Sequence, residues 1–128
     1  MFDDLERLAN RSRDGIYHYD IGSRCFLFMN DRFKEFFCCR EDAVYPASSN
    51  HIIKSIHPED RNAVLQALRG SIANGQIQGE VEYRTQHPDG SVRWLHDRWI
   101  VVRNSEGHPV AIEGFVRDNT ARRVSELQ

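Results

Sequence analysis

The stretch from Gly79 to Thr120 constrains this chain most, because its alternating pattern reads as three consecutive antiparallel strands. Gly79 to Gln86 places Val81, Tyr83 and Thr85 on one side and Glu80, Glu82 and Arg84 on the other, the two-residue period of a half-buried strand. Asp89-Gly90 supplies a tight turn, since both residue types tolerate the positive φ that such a turn needs. Val92 to Arg103 reads as a long strand rich in Trp, Ile and Val, followed by a connection over Asn104 to His108. Pro109 to Asp118 returns as a third strand with Val110, Ile112, Gly114 and Val116 on one face. Gly114 presents no side chain there, which leaves space beside it or lets another backbone come close. Along the central strand, parity sets Leu95, Trp99 and Val101 on one side and Trp94, Ile100 and Val102 on the other. A strand that is apolar on both faces needs cover on both.

Upstream, Gly15 to Asp20 and Cys25 to Met29 read as two strands around an Ile21 to Arg24 turn. Asn30 stands at a helix N-cap, with Phe33, Phe36 and Phe37 recurring at i, i+3 and i+4 behind it. Pro46 and Ala47 to Asn50 predict a loop, followed by a short helical turn that uses Ile52, Ile53 and Ile56. His57-Pro58-Glu59-Asp60 opens the main helix, with proline in the first turn and acids at the positive end of the dipole. Val64, Leu65, Leu68 and Ile72 form the apolar face of that helix. At the N-terminus, Phe2, Leu5, Leu8 and Ala9 share one stripe of a short amphipathic helix. That stripe is covered either by the chain's own sheet or by a second copy.

Composition narrows the function classes. A chain of 128 residues makes one domain with a real core. A net charge of −2 gives no electrostatic ground for a nucleic-acid partner or an anionic membrane. No apolar run approaches the roughly 20 residues of a membrane span, and the acidic start does not read as a signal peptide. Three cysteines, with Cys38 and Cys39 adjacent, argue against a disulfide framework and for a reducing, cytoplasmic setting. None of the histidines is spaced as a metal pair or set near cysteines at zinc spacing, so no metal site is expected. His57 beside Asp60 lacks a nucleophile and a third orienting group, so it reads as a cap and not as a catalytic pair.

Taken together, His57-Pro58-Glu59-Asp60, Glu82-Tyr83-Arg84, Asp89-Gly90-Ser91, Arg93-Trp94, Gly107, Gly114 and Asp118-Asn119-Thr120 resemble the PAS domain in its bacterial sensory PAS/PAC form. That form occurs in sensor histidine kinases and cyclic-di-GMP signalling proteins. Asn119 departs from the isoleucine usual at that place. The resemblance implies an α+β fold, a five-stranded antiparallel sheet in the order 2-1-5-4-3 with helices packed on one face. It divides the chain into a flanking helix over 1–14, the sensory domain over 15–118 and the start of a linker helix over 119–128. Phe33, Phe37, Ile112, Gly114 and Val116 are then expected to line a cavity, and Asp118 and Thr120 to relay a signal. Phe2, Leu5, Leu8 and Trp99 are expected to contact a second copy in a homodimer. The run of residues that marks flavin-binding members is missing, and the long helix carries no histidine for haem, so neither cofactor is expected; His51 remains a distant haem candidate. Two functions stay open: an input domain that senses a small ligand or partner and passes the signal to an effector in the same polypeptide, and a ligand-free dimerisation module. No enzymatic activity is expected of this stretch itself.

Overall fold

The alternating segments form one antiparallel sheet. The computed structural model describes residues 2–39 and 47–127. Strands β1 (Gly15–Asp20) and β2 (Cys25–Met29) pair as a hairpin, and β3 (Ala47–Ser48) adds to the outer edge of β2. Strands β4 (Gln78–Gln86), β5 (Val92–Arg103) and β6 (Pro109–Asp118) form a meander, and β6 comes back beside β1. The order is therefore β3-β2-β1-β6-β5-β4. Counted without the two-residue β3, the five long strands stand in the order 2-1-5-4-3, as expected. β3 falls in the stretch read as a loop. Two residues are too few to show alternation, and their pairing with Cys25 and Phe26 is decided by the neighbouring strand.

Among the described residues there are five helices: α1 (Phe2–Asn10), α2 (Asp31–Phe36), α3 (Asn50–Ser55), α4 (Arg61–Ala73) and α5 (Thr120–Glu126). Phe33 and Phe37 from the α2 region, Ile52 and Ile56 from α3 and Val64 from α4 meet Tyr17, Tyr83, Leu95, Trp99, Ile112 and Val116 of the sheet in a single core. The parity of β5 thus resolves in one sense: Leu95, Trp99 and Val101 face the helices, while Ile100 stays exposed on the opposite face.

α4 begins at Arg61, four residues later than the sequence pattern suggests. The acids before it find a stronger partner than the helix dipole. The Asp60 carboxylate accepts from the Arg84 backbone N–H at 2.8 Å and from its guanidinium at 3.0 and 2.9 Å. Glu59 adds a further contact to Arg84 at 3.1 Å. The hydrogen bonds from Arg84 hold the Asp60 carboxyl below its ordinary value. His57 donates its backbone N–H to the Arg84 carbonyl at 2.8 Å, and its Nδ1 accepts from the Glu59 N–H at 3.1 Å. His57 is therefore a turn residue, and the His-Pro-Glu-Asp segment is a latch that fixes the entry of α4 onto β4.

Asn30 is a second fixed point. Its Oδ1 accepts from the N–H groups of Ile16 at 2.8 Å and Phe33 at 3.0 Å, while its Nδ2 donates to the carbonyls of Ala9 at 2.8 Å and Asp14 at 3.0 Å. One side chain, 1% exposed, thereby caps α2 and ties it to β1 and to the end of α1. An ordinary exposed cap is worth about 1 kcal/mol, but each buried backbone group orphaned here costs about 1–3 kcal/mol. Asn30→Ala is expected to lower the unfolding free energy by more than an exposed turn mutation such as Asp89→Ala, whose carboxylate accepts from the Ser91 N–H at 2.9 Å, as read from urea midpoints at constant slope. Equal losses for the two variants would contradict the role given to Asn30.

Candidate functional site

The inner face of β5 carries one acid. Asp97 lies between Leu95 and Trp99, 6% exposed, with Oδ1 accepting from the Tyr17 hydroxyl and Oδ2 from the Tyr83 hydroxyl, both at 2.9 Å. Tyr83 comes from the adjacent β4. Tyr17 comes from β1 and must reach over β6 to arrive. Gly114 makes this possible: it sits directly opposite Tyr17 in the β1–β6 register, and a Cβ built on it would overlap the Tyr17 ring at Cζ. The missing side chain of β6 is the corridor for the β1 tyrosine.

Burial raises the Asp97 carboxyl to about 7, against the opposing pull of the two tyrosine hydrogen bonds. Burial, reinforced by the charge of Asp97, likewise raises both tyrosine hydroxyls well above their ordinary value. The two tyrosines therefore keep their phenolic protons, and Asp97 between them is the group that titrates.

Above this bracket lies a cavity of about 520 Å³, within the roughly 300–1,000 Å³ range of small-molecule sites. Tyr17, Phe26, Phe33, Phe37 and Tyr83 form an aromatic wall, with ring centroids of neighbouring pairs 4.5–6.3 Å apart. Ile52, Ile56, Val64, Leu65, Leu68 and Ile72 of α3 and α4 supply the aliphatic wall. Arg24, Arg61 and Arg69 also line it, Arg24 and Arg69 from exposed positions.

Of the residues expected to line a cavity, Phe33, Phe37 and Ile112 do so. Gly114 and Val116 do not. Gly114 is roofed by Tyr17, and Val116 is fully buried in the core, away from the open space. Sequence reading passed over Asp97, Tyr17 and Arg24. The available signal was parity: Asp97 shares the face of Leu95, Trp99 and Val101, an acid in an otherwise apolar row.

Asp118 and Thr120 meet at the junction between β6 and α5. Asp118 Oδ1 accepts from the Thr120 N–H at 2.8 Å, and Thr120 Oγ1 accepts from the Trp94 N–H at 2.9 Å. Asn119 donates its N–H to the Trp94 carbonyl at 2.8 Å. The Arg123 guanidinium of α5 lies 4.0 Å from the centroid of the Trp94 ring, which the Arg84 guanidinium also approaches at 5.3 Å. Trp94 is thus the indole that faces away from the cavity, covered by two cations.

Among the residues expected to contact a second copy, Leu5 and Leu8 are 61% and 63% exposed in the single chain, so α1 leaves its stripe open. The side chain of Phe2 lies outside the described residues. Trp99 requires a correction: it is 2% exposed on the helix-facing side, where Gly79 and Ser71 crowd its ring, and cannot reach a partner. His51 points its Nε2 at the Phe37 carbonyl, 2.9 Å away, and does not line the cavity. Among the described residues no three His, Cys, Asp or Glu side chains converge as metal ligands, and Cys25, Cys38 and Cys39 are free thiols. No helix among the described residues is long and apolar enough to cross a membrane.

Residues 26–116 match the family described as PAS fold. The chain is a PAS domain. Solved structures agree: the N-terminal domain of a diguanylate cyclase with PAS/PAC sensor from Marinobacter aquaeolei superposes with a TM-score of 0.75 at 22% identity, covering 86% of this chain and 98% of that one. A sensory box histidine kinase/response regulator from Burkholderia thailandensis gives a TM-score of 0.72 at 26% identity, covering 98% of this chain and 88% of that one. A methyl sulfide methyltransferase-associated sensor from Methanosarcina acetivorans is 30% identical over 71 residues, which are 56% of this chain and only 7% of that protein. PAS domains of this kind are sensory modules of signalling proteins.

The PAS core should carry a pH signature from its buried acid. The folded carboxyl keeps its proton up to about 7, whereas its ordinary value is 3.8. Between those values the folded state binds the extra proton, so this group stabilises the fold at acid pH and that contribution is lost as pH rises through 7. Asp97→Asn removes the dependence. The wild-type urea midpoint is expected to fall relative to that of the variant between about pH 5 and about pH 8. Parallel curves would show that Asp97 does not titrate as its burial implies.

Proposed function

We propose that this PAS domain is the sensory input of a larger cytoplasmic signal-transduction protein, detecting a small ligand in the cavity and relaying occupancy to an effector that follows α5 in the same polypeptide. The observation that carries this reading is the course of β5. Asp97 of that strand forms the polar floor of the cavity, and Trp94, three residues earlier on the opposite face, holds the start of α5 by two backbone hydrogen bonds. A displacement of Asp97 by a ligand is passed along a rigid strand to the helix start. α5 has no buried residue of its own, so little packing opposes its movement. The catalytic step of any such pathway belongs to the effector and not to this domain.

Dimerisation is part of the same proposal. The open stripe of α1 and the exposed Ile100 and Phe115 on the outer sheet face, 45% and 50% exposed, leave apolar surface for a second copy. These features also favour the alternative of a ligand-free dimerisation module. Sedimentation is expected to show a species of twice the chain mass at micromolar concentration, shifted towards monomer by Leu5→Asp with Leu8→Asp. A monomer at every concentration would remove the dimer from the proposal.

The relay is tested in a full-length protein bearing this domain. Thr120→Val removes one hydrogen bond at the junction, Asp118→Ala removes the acceptor of the Thr120 N–H together with a 3.4 Å contact to Arg93, and neither takes away a core contact, so each should lower stability by only about 1–2 kcal/mol. Both are expected to change basal output or the response to signal severalfold while the melting temperature moves by a few degrees. Unchanged output and response with both substitutions would refute the relay.

A further inference from the structure

The cavity has two ends of opposite electrical character. At its floor the Asp97 carboxylate receives two tyrosine hydroxyls, one on each oxygen. A carboxylate has about four acceptor sites, so each oxygen keeps capacity for one more donor. Among the described residues no cation pairs with it. Towards solvent stand Arg24, Arg61 and Arg69. Arg61 is committed, its guanidinium donating to the Ile56 carbonyl at 2.9 Å and the Lys54 carbonyl at 3.0 Å. Arg24 and Arg69 have no ion-pair partner among the described residues. Between the two ends the walls are apolar. Resting on the reading of this cavity as a ligand site, we propose that it selects a zwitterionic amphiphile of the ω-amino acid type, with its ammonium group on Asp97, an apolar chain along the walls and its carboxylate at Arg24 and Arg69.

Each part of the ligand answers a separate cost. An ammonium group supplies the counter-charge that burial denies Asp97, in a cavity that Tyr17, Tyr83 and Phe33 also line. A simple carboxylic amphiphile satisfies the arginines but lays its apolar end against a buried acid, which desolvates the acid without pairing it. A simple amine satisfies Asp97 but leaves the rim unpaired, and a polyamine brings a second cation to the arginines. Only opposite charges at the two ends of one chain satisfy both. The floor charge is buried and weakly screened, whereas the rim is exposed, so Asp97 contributes more to the affinity than either arginine.

Calorimetric titration of the wild-type chain near neutral pH with ε-aminocaproate, its shorter and longer homologues, hexylamine and hexanoate tests the assignment. The best ω-amino acid is expected to bind at least about tenfold tighter than hexylamine and hexanoate, with about 1.4 kcal/mol per tenfold. Asp97→Asn should abolish that advantage over hexanoate, and Arg24→Gln with Arg69→Gln should abolish the advantage over hexylamine. The arginine pair is exposed, so its test stands even if Asp97→Asn does not fold. Hexanoate or hexylamine binding as tightly as every ω-amino acid overturns the zwitterion assignment and leaves the ligand-sensing reading intact. Failure of all these probes and of a general small-molecule library to bind overturns both.

Discussion

The bracket of Tyr17, Asp97 and Tyr83 is the constraint on which the interior depends. An ionised carboxylate cannot be buried alone, because the cost of removing it from water is several kcal/mol even after relaxation. Here it is tolerated with two hydroxyl donors and a carboxyl raised to about 7. Those donors come from β1 and β4, so the bracket joins the sheet across β6 as well as along its ladders. Both tyrosines are held by their hydroxyls at the sheet. Their rings stand beside the Asp97 floor as part of the aromatic wall. Gly114 is the permissive element: any side chain at that position of β6 would stand where Tyr17 lies.

Two further polar clusters frame this centre, one buried at Asn30 and one half-buried at Asp60 and Arg84. Asn30 satisfies four backbone groups where α1, β1 and α2 meet. Asp60 engages the backbone and guanidinium of Arg84, setting the angle at which α4 leaves the sheet. By contrast, exposed pairs such as Arg117 with Asp14, at 3.3 Å, contribute at most a few tenths of a kcal/mol to about 1 kcal/mol. Polar contacts are therefore dense around the cavity, while α5 has no buried residue and α1 leaves Leu5 and Leu8 exposed. This distribution of contacts suits the proposed relay from Asp97 through β5 to α5.

Much of the architecture was legible in the residues. The five long strands fall within one residue of where alternation and the Gly and Asp-Gly turns put them, because a half-buried strand writes its burial directly into parity. The Asn30 cap and the aromatic spacing behind it were equally plain. The start of α4 was misjudged, since local rules place Glu59 and Asp60 at a helix dipole while the partner that captures them, Arg84, lies more than twenty residues away. The face taken by Trp99 was also beyond local reading: parity says that Trp94 and Trp99 point apart, but not which of them the helices cover.

The sequence by itself determined the five long strands, their succession along the chain and the family, because these follow from periodicity, turn chemistry and short motifs. Only the tertiary structure decided the site. Asp97 becomes a floor, and not a surface acid, when β6 returns between β1 and β5 and Gly114 lets Tyr17 across. Arg24 and Arg69 join the same cavity from a turn and a helix that are far apart in the chain. Such convergence depends on strand order and on the sense in which a sheet face is covered, and neither is carried by any local run of residues.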